Sequence, residues 1–152
     1  ALTAIRPAFC TPAAPYPVNT TPTTCVQHPV SPTKQQEIFE SYAELLYLKR
    51  TPAPAYVYIA TNEIQHNPYV LDGAAASFAI VNSIFANSSN GVEVLHQAFH
   101  APFGWVHWRL DGFYPMPASV VDVYRFEGAC IVEHWDTIQQ VPADAINPHP
   151  LF

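Results

Sequence analysis

Two apolar segments near the C-terminus, SVVDVYRF and CIVEHWDTI, carry acids and a histidine among rings and aliphatic side chains. Successive side chains of a strand point to opposite faces, so Asp122 would share its face with the ring of Tyr124. A carboxyl group in apolar surroundings holds its proton more tightly unless a charged or hydrogen-bonding partner meets it, and such a group can transfer protons near neutral pH. Asp122 is therefore a candidate acid/base residue, although an acid paired purely for structure produces the same pattern.

Histidines supply the other acid/base candidates. His134 and Asp136 lie on one face of the second segment, where a carboxylate can orient an imidazole. In WVHWRL, His107 shares its face with a tryptophan and an arginine. A histidine among rings is more often a satisfied core residue than a catalyst, so both interpretations stay open for His107.

A loop before a proline supplies one more histidine. The letters QHNP place His66 and Asn67 where a side chain can point into the space between helices and a sheet, and loops on a rigid scaffold often carry function. Asn67 also suits a simple cap of the turn before Pro68. Side chains near the acid/base candidates are predicted to bind a substrate: Tyr58, Asn67, Trp105, Arg109, Tyr124 and Trp135.

Composition argues against several classes of protein. The 152-residue chain has a formal charge of −6 and only two Lys or Arg residues beyond Arg50, so it lacks a basic stripe for nucleic acid. No apolar run approaches the roughly 18 to 20 residues of a bilayer span, and no membrane partner is expected. The HExxH, CxxC, GxSxG and GxGxxG motifs are absent, which predicts neither a bound metal nor a nucleotide cofactor.

Secretion is predicted from the N-terminus, the sequons and the cysteines. The chain begins without Met, at ALTAIRPAFC, as a mature protein does after removal of a signal peptide. Asn19 and Asn87 begin N-glycosylation sequons. In an oxidising compartment Cys10 and Cys25 would close a loop around a Pro/Thr-rich segment and leave Cys130 as an odd thiol, whereas three free thiols would suit the cytosol.

The first half of the chain after the Pro/Thr-rich segment has helical periodicity. Ser31 and Pro32 form a helix start, and apolar residues follow at helical spacing as far as LYLKR. A second short helix is predicted from Thr51 to near QHNP, and a third from roughly Gly73 to Phe85.

After Gly91 the period changes to that of strands. Four extended segments follow, VEVLHQAFH, GWVHWRLDG, ASVVDVYRFE and CIVEHWDTIQ, with turn residues between them. Helices first and strands second predict an α+β fold, an antiparallel sheet with the helices on one face. The predicted organisation is a Pro/Thr/Cys-rich arm over residues 1–30, one folded domain over 31–142 and a C-terminal tail over 143–152.

The order of these elements, together with YIATNEIQHNP, VHWRLDG and VDVYRFEGACIVEHWDTIQ, resembles the SnoaL-like branch of the NTF2-like superfamily over about residues 31–142. The resemblance implies a cone, in which a curved and mostly antiparallel sheet wraps around the N-terminal helices, encloses an apolar pocket and commonly pairs two copies into a homodimer. It also implies a small hydrophobic ligand of polyketide or terpenoid type, handled without metal or organic cofactor by a cyclase, isomerase or dehydratase. The pocket candidates carried over are His66, His107, Asp122, His134 and Asp136.

Several alternatives remain open on the sequence alone. As an enzyme, the protein would exchange protons between Asp122 and His66 or His107, while the predicted aromatic residues pack the substrate. A secreted binding protein that catalyses nothing fits the few ionisable groups equally well, and a cavity filled by side chains is a third possibility. The cysteines admit a second pairing, in which Cys130 bonds to the arm.

Overall fold

A computed structural model describes residues 24–152 of the chain. The first helix, α1, spans Pro32–Ala43 and begins at the predicted cap, because the Ser31 hydroxyl accepts the Lys34 amide and proline occupies the first turn. The chain continues as a π-helical turn over Glu44–Leu48. The apolar side of α1 is buried, as its spacing predicts.

The second predicted helix is mostly a strand, and that prediction was wrong. Helix α2 spans only Pro52–Ala55, a 3₁₀ turn covers Tyr56–Tyr58, and strand β1 follows over Ile59–Gln65. The segment is rich in aromatic and β-branched residues, which suit a strand. Its parallel pairing with a distant strand stabilises the extended form, and that partner is not evident from local sequence.

The remaining elements confirm the predictions. Helix α3 spans Ala74–Phe85 and starts after Gly73, whose φ of 98° suits a residue without a Cβ. Four strands follow: β2 over Gly91–His100, β3 over Phe103–Asp111, β4 over Ala118–Glu127 and β5 over Cys130–Gln140. Residues 141–152 form neither helix nor strand. In residues 24–152 no helix is long and apolar enough to cross a membrane.

The sheet is curved and unclosed, with the strand order β1-β5-β4-β3-β2. Strand β1 pairs in parallel with β5, and the other neighbours are antiparallel. The sheet is thus mostly antiparallel, as predicted, with one parallel pair at its edge. Strand β5 lies between β1 and β4, and these three strands carry most of the polar side chains on the inner face of the sheet.

One face of the sheet, the inner face, packs against the helices. On β4 the buried side chains alternate strictly, and they contact rings from α1. Phe39 packs on Phe126 of β4 and on Phe99 of β2, and Tyr42 packs edge-on against Tyr124. Gly104 of β3 allows this close approach. A Cβ built there would lie 2.6 Å from the Phe39 ring.

A bulge changes which residues of β5 face inward. The register shifts between Arg125 and Phe126, so Phe126 pairs with Ile131 while Arg125 pairs with Glu133. Ile131 is therefore buried with the inner face, although strict alternation from His134 would turn it outward. The sequence pattern of β5 predicts His134 and Asp136 on one face, and the structure places both inward.

A disulfide joins Cys25 to Cys130, so the pairing of Cys25 with Cys10 was wrong and the pairing of Cys130 with the arm is confirmed. The Cys25 amide donates to the Ile59 carbonyl at 2.7 Å, which places the arm beside β1 and hence beside the start of β5. Cys10 and the Asn19 sequon lie outside the described residues.

Candidate active site

Asp122 lies at the centre of β4 on the inner face, with 8% of its side chain exposed. Its Oδ2 atom accepts two hydrogen bonds, from the Tyr47 hydroxyl at 2.5 Å and from Trp108 Nε1 at 2.6 Å. Tyr47 comes from the π-helical turn after α1, and Trp108 comes from the neighbouring strand β3. Three elements therefore position one carboxylate, and donors rather than water satisfy its charge.

His134 is the partner of Asp122. Its Nε2 atom lies 3.1 Å from Asp122 Oδ1, and its Nδ1 atom lies 2.9 Å from Gln65 Oε1. The backbone N–H of Asn67 also donates to Gln65 Oε1, at 3.1 Å. This second hydrogen bond shows that the oxygen of the Gln65 side chain, and not its nitrogen, faces His134. Because both ring nitrogens of His134 face acceptors, the arrangement fits an imidazolium paired with a carboxylate.

The electrostatics of the site favour the same protonation state. Burial lowers the pKa of His134, but the hydrogen bond and negative charge of Asp122, helped by the charges of Glu63 and Asp136, outweigh it, and the net pKa is raised. His134 thus keeps its second proton at pH values where a free histidine begins to lose it. With 12% of its side chain exposed, it is a nearly buried acid.

Asp136 completes the polar group at its more open end. Its Oδ2 atom accepts a 2.5 Å hydrogen bond from Asn67 Nδ2, so the loop after β1 holds this carboxylate. Asp122, His134 and Asp136 each offer one atom that could bind a metal ion, and these three atoms lie within 4.8 Å of one another. Asp122 and Asp136 already accept protein donors and His134 contacts Asp122, so the network suits proton transfer at least as well.

Tyrosine hydroxyls extend the network into the core. The hydroxyls of Tyr47 and Tyr124 lie 2.6 Å apart, and since Tyr47 donates to Asp122, Tyr124 must donate to Tyr47. Burial raises the pKa of both phenols well above its usual value, so both remain neutral donors. The Tyr124 ring also stacks on His134 with 4.9 Å between centroids.

A buried acid that the sequence analysis missed lies on the inner side of β1. Glu63 is 2% exposed and accepts the Ser77 hydroxyl at 2.6 Å, while Tyr56 donates to Ser77 at 3.1 Å. Burial raises the pKa of Glu63, and the Ser77 hydrogen bond and the charge of His134 offset part of that effect. The sequence carries no clear signal for Glu63, because burial along β1 does not alternate and the register shifts between Ile59 and Ile64.

The structure places His66 on the outer face of the sheet, away from Asp122. Its Nε2 atom lies 2.8 Å from Glu133 Oε1, and its ring stacks on Trp135 at 4.7 Å. Arg125 Nε donates to the other oxygen of Glu133 at 2.6 Å. The hydrogen bonds from His66 and then Arg125 lower the pKa of Glu133.

His107 also lies on the outer face, because β3 alternates and its neighbour Val106 is buried. Its Nε2 atom lies 2.8 Å from Ser119 Oγ. Among the predicted site residues, the structure brings together Asp122, His134, Asp136, Asn67 and Tyr124. The other predicted site residues lie away from this group: His66, Tyr58, Trp105, His107, Arg109 and Trp135. Arg109 pairs with Asp111 on that outer face.

The interior beside Asp122 is packed with aromatic rings. Tyr42, Tyr47 and Tyr124 are each at most 3% exposed. Two cavities among the described residues lie at the surface instead. One, of about 440 Å³, lies between the Cys25 segment, α1 and Tyr58, and the other, of about 430 Å³, lies between Arg109 and the C-terminal tail. A ligand of the Asp122 group would have to displace side chains.

Helices on the concave face of a curved five-stranded sheet, with a polar network on the inner wall, define the NTF2-like fold. A solved NTF2-like protein of unknown function from Mesorhizobium loti superposes with a TM-score of 0.62 at 16% identity, covering 76% of this chain and 98% of that chain. The neighbours confirm the predicted NTF2-like fold.

Two further neighbours come from proteins with proposed activities. A proposed polyketide cyclase from Acidithiobacillus ferrooxidans matches with a TM-score of 0.52 at 17% identity, covering 69% of this chain and 87% of that one. A proposed hydroxylase, AclR from Streptomyces galilaeus, matches with a TM-score of 0.55 at 12% identity, covering 72% and 91%. No family model and no curated protein matches the chain.

Proposed function

We propose that the protein is a cofactor-independent acid/base enzyme of the cyclase, isomerase or dehydratase type, acting on a small hydrophobic molecule of polyketide or terpenoid class. The observation that carries the proposal is the Asp122–His134 pair, a nearly buried imidazole 3.1 Å from a carboxyl oxygen on the inner wall of the cone. The structural neighbour named as a polyketide cyclase supports the substrate class. At its low identity it supplies an analogy of fold, and the site carries the chemistry.

In this proposal His134 is the general acid. Asp122 holds the imidazole in place through Nε2 and keeps it protonated, so Nδ1 can donate to a substrate oxygen that replaces Gln65 Oε1. A carbonyl or hydroxyl oxygen is suited to that position because it accepts the same hydrogen bond. Tyr47 and Trp108 remain on the other carboxylate oxygen and keep Asp122 acceptor-only.

Asp136 is the base in the same proposal. Asn67 orients its carboxylate, and its distance from His134 of under 4.8 Å suits a carbon acid adjacent to the protonated oxygen. One proton passes from the substrate carbon to Asp136 while His134 delivers one to oxygen, giving an enol. When the enol collapses, Asp136 gives its proton to carbon and the enol hydroxyl returns its proton to His134, so both side chains regain their starting protonation states.

Access to the pair would come from the end of the cone that carries Gln65 and Asn67. Both are half-buried, and the loop that follows exposes the large side chains Tyr69 and Leu71. Exposed apolar side chains on a loop beside a polar site suit contact with a hydrophobic ligand. Movement of this loop is required, because the interior is packed.

A second candidate is a secreted binding protein that catalyses nothing. The observation in its favour is that the polar groups around Asp122 satisfy one another and that rings fill the space beside them. The Cys25–Cys130 disulfide supports secretion, because such bonds persist in oxidising compartments. The Asn87 sequon is exposed, which supports glycosylation there.

Homodimerisation through the outer face of the sheet belongs to the same proposal. Phe103 and Trp105 are 44% and 38% exposed on that face, and Trp135 lies beside Phe103 at 6.4 Å. Aromatic side chains are enriched in protein interfaces. Analytical ultracentrifugation of the wild type and of Trp105→Ser tests it, and a wild-type monomer at high micromolar concentration contradicts it.

The enzyme is tested by proton exchange at carbon. Native mass spectrometry of protein from its source first identifies any bound molecule. Next, α-tetralone and related aromatic ketones are incubated with the protein in D₂O, and deuterium at the carbon beside the carbonyl is followed by NMR. We expect catalysed exchange that falls at least about 100-fold in His134→Gln and Asp136→Asn, since general acid/base groups contribute on that scale.

His66→Gln is the matched control, because it removes an outer-face histidine that does not contact Asp122. It should keep full exchange. Exchange that survives in both His134→Gln and Asp136→Asn contradicts the assigned roles. Saturable ligand binding without any exchange by the folded wild type would favour the binding protein.

A further inference from the structure

Two histidines face each other on the outer face of the sheet, remote from the Asp122 network. His96 of β2 and His107 of β3 are register partners, and their Nδ1 atoms lie 3.2 Å apart. The rings are nearly parallel, at 14°, with centroids 5.5 Å apart. His96 is exposed and His107 is half-buried, so the pair is open to solvent on one side.

A bulge in β2 creates this pair. Val94 pairs with Trp108 on the inner face, but the register shifts between Val94 and His96, and His96 then pairs with His107. Strict alternation from Val94 would turn His96 inward, whereas the extra residue Leu95 turns it outward. The bulge therefore directs a second imidazole at the first.

Ser119 leaves His107 free to present a lone pair. His107 Nε2 lies 2.8 Å from Ser119 Oγ on β4, so the hydroxyl can accept an Nε2 proton. In that tautomer Nδ1 carries a lone pair directed at His96. Such a hydrogen bond from the second ring nitrogen is the usual support of a metal-binding histidine.

We propose that His96 and His107 form a two-histidine site for a late first-row divalent transition metal, with Cu²⁺ bound more tightly than Zn²⁺. Two nitrogens that each bind such an ion at about 2.0–2.1 Å lie about 2.8–3.4 Å apart when they are adjacent ligands at angles between 90° and the tetrahedral angle, and the observed separation is 3.2 Å. Imidazole suits Cu²⁺, Ni²⁺ and Zn²⁺, and affinity rises toward Cu²⁺. In a single copy of the chain the exposed side leaves the remaining coordination positions to water or to a small anion.

The charges around the pair are compatible with a cation. Arg109 lies next to His107 on the same face, but Asp111 accepts from its guanidinium at 2.8 and 2.9 Å, and the charge of Glu93 also acts on it. The nearest fixed positive charge is therefore neutralised. Asp122, His134 and Asp136 lie on the inner face and could also bind a metal ion. The experiment must therefore distinguish binding there from binding at His96 and His107.

The test is titration of the full-length protein, freed of metal with a chelator, with Zn²⁺ and Cu²⁺ by isothermal titration calorimetry. We expect one equivalent of each ion, with NMR shifts of the His96 and His107 ring protons on adding Zn²⁺. His96→Asn and His107→Asn should each weaken Zn²⁺ binding at least tenfold. His100→Asn, which removes another exposed histidine of β2, is the matched control and should leave affinity unchanged.

Two further variants locate the ion. Ser119→Ala should weaken binding roughly tenfold, because loss of such a supporting hydrogen bond lowers metal affinity by about 10–100-fold. Asp136→Asn should not affect it. The proposal is overturned if the folded wild type binds no ion, if both histidine variants bind normally, or if Asp136→Asn abolishes binding.

Discussion

Asp122 is the main group that raises the pKa of His134, and two hydrogen-bond donors position its carboxylate. Tyr47 and Trp108 both donate to Oδ2, and these bonds hold the carboxylate in its acceptor form opposite the imidazole. Gln65 presents its amide oxygen to the other ring nitrogen. Each hydrogen bond fixes whether its partner acts as a donor or as an acceptor. A protonated His134 opposite an ionised Asp122 therefore satisfies the whole network.

Replacing Asp122 by Asn should lower the pKa of His134 below its wild-type value, because the negative charge that raises it is removed. A histidine whose pKa is raised on folding stabilises the fold fully below about pH 6.5 and loses that contribution as pH rises through the folded pKa. Asp122→Asn should therefore reduce the loss of stability that the wild type shows as pH rises. It should also lower the free energy of unfolding at pH 6 by about 3 kcal/mol. NMR titration of the His134 ring and urea unfolding measure both effects. An unchanged pKa would show that Asp122 does not control it.

Glu63 should destabilise the protein as it ionises. Burial raises its pKa in the folded state, so stability falls as pH rises from about 4.3, the usual value, through the folded pKa. Glu63→Gln keeps an acceptor for Ser77 and has no charge to bury. Its melting temperature at pH 8 should exceed that of the wild type by about 2 °C or more, equivalent to on the order of 1 kcal/mol, and the difference should vanish near pH 4. A variant that is less stable at pH 8 contradicts this account.

Register irregularities in three strands, β1, β2 and β5, influence which side chains reach which face. The bulge in β5 buries Ile131 while His134 still faces inward, and the bulge in β2 turns His96 outward. The strand β1 then covers the edge of β5 and carries Gln65 to His134. The polar site thus depends on contacts between elements far apart in sequence.

Gly104→Ala tests how closely α1 packs on β3. The added Cβ would lie 2.6 Å from the Phe39 ring, and overpacking of this kind costs about 1–3 kcal/mol. This exceeds the roughly 0.5–1 kcal/mol that alanine gains over glycine in a strand. We expect a net loss of about 1–2 kcal/mol in urea unfolding. In a Phe39→Leu background the same change should cost much less, and equal costs in both backgrounds would rule out the ring contact as the cause.

At the scale of the whole molecule, the disulfide ties the arm to the end of the sheet. Cys25 and Cys130 are 105 residues apart in sequence, and Cys130 is fully buried. The bond closes a loop that contains the helices and most of the sheet. In the chain-entropy account such a bond restricts the unfolded state more than a short loop would.

Reduction of the disulfide should lower the free energy of unfolding by about 2–4 kcal/mol. The measurement is urea unfolding of the wild type with and without dithiothreitol. The double variant Cys25→Ser, Cys130→Ser should resemble the reduced wild type and should not respond to dithiothreitol. A wild type that is equally stable when reduced would show that the bond contributes little.

Much of the scaffold follows from local sequence. Ser31 and Pro32 locate the start of α1, Gly73 precedes α3, and alternation locates β2 to β5, because caps and side-chain periodicity act over a few residues. The resemblance to NTF2-like proteins is visible for the same reason. Alternation also places Asp122 with Tyr124, and His134 with Asp136.

The tertiary structure alone decided what these residues meet. A parallel partner turned the predicted second helix into β1, and this brought Gln65 to His134 and buried Glu63. Strand order and alternation separated His107 from Asp122, the end of β1 placed His66 beside Glu133 on the outer face, and the arm beside β1 brought Cys25 to Cys130. Local sequence determines the face of a side chain within its own strand, whereas register and strand order arise from contacts summed over the whole chain, which no short segment contains.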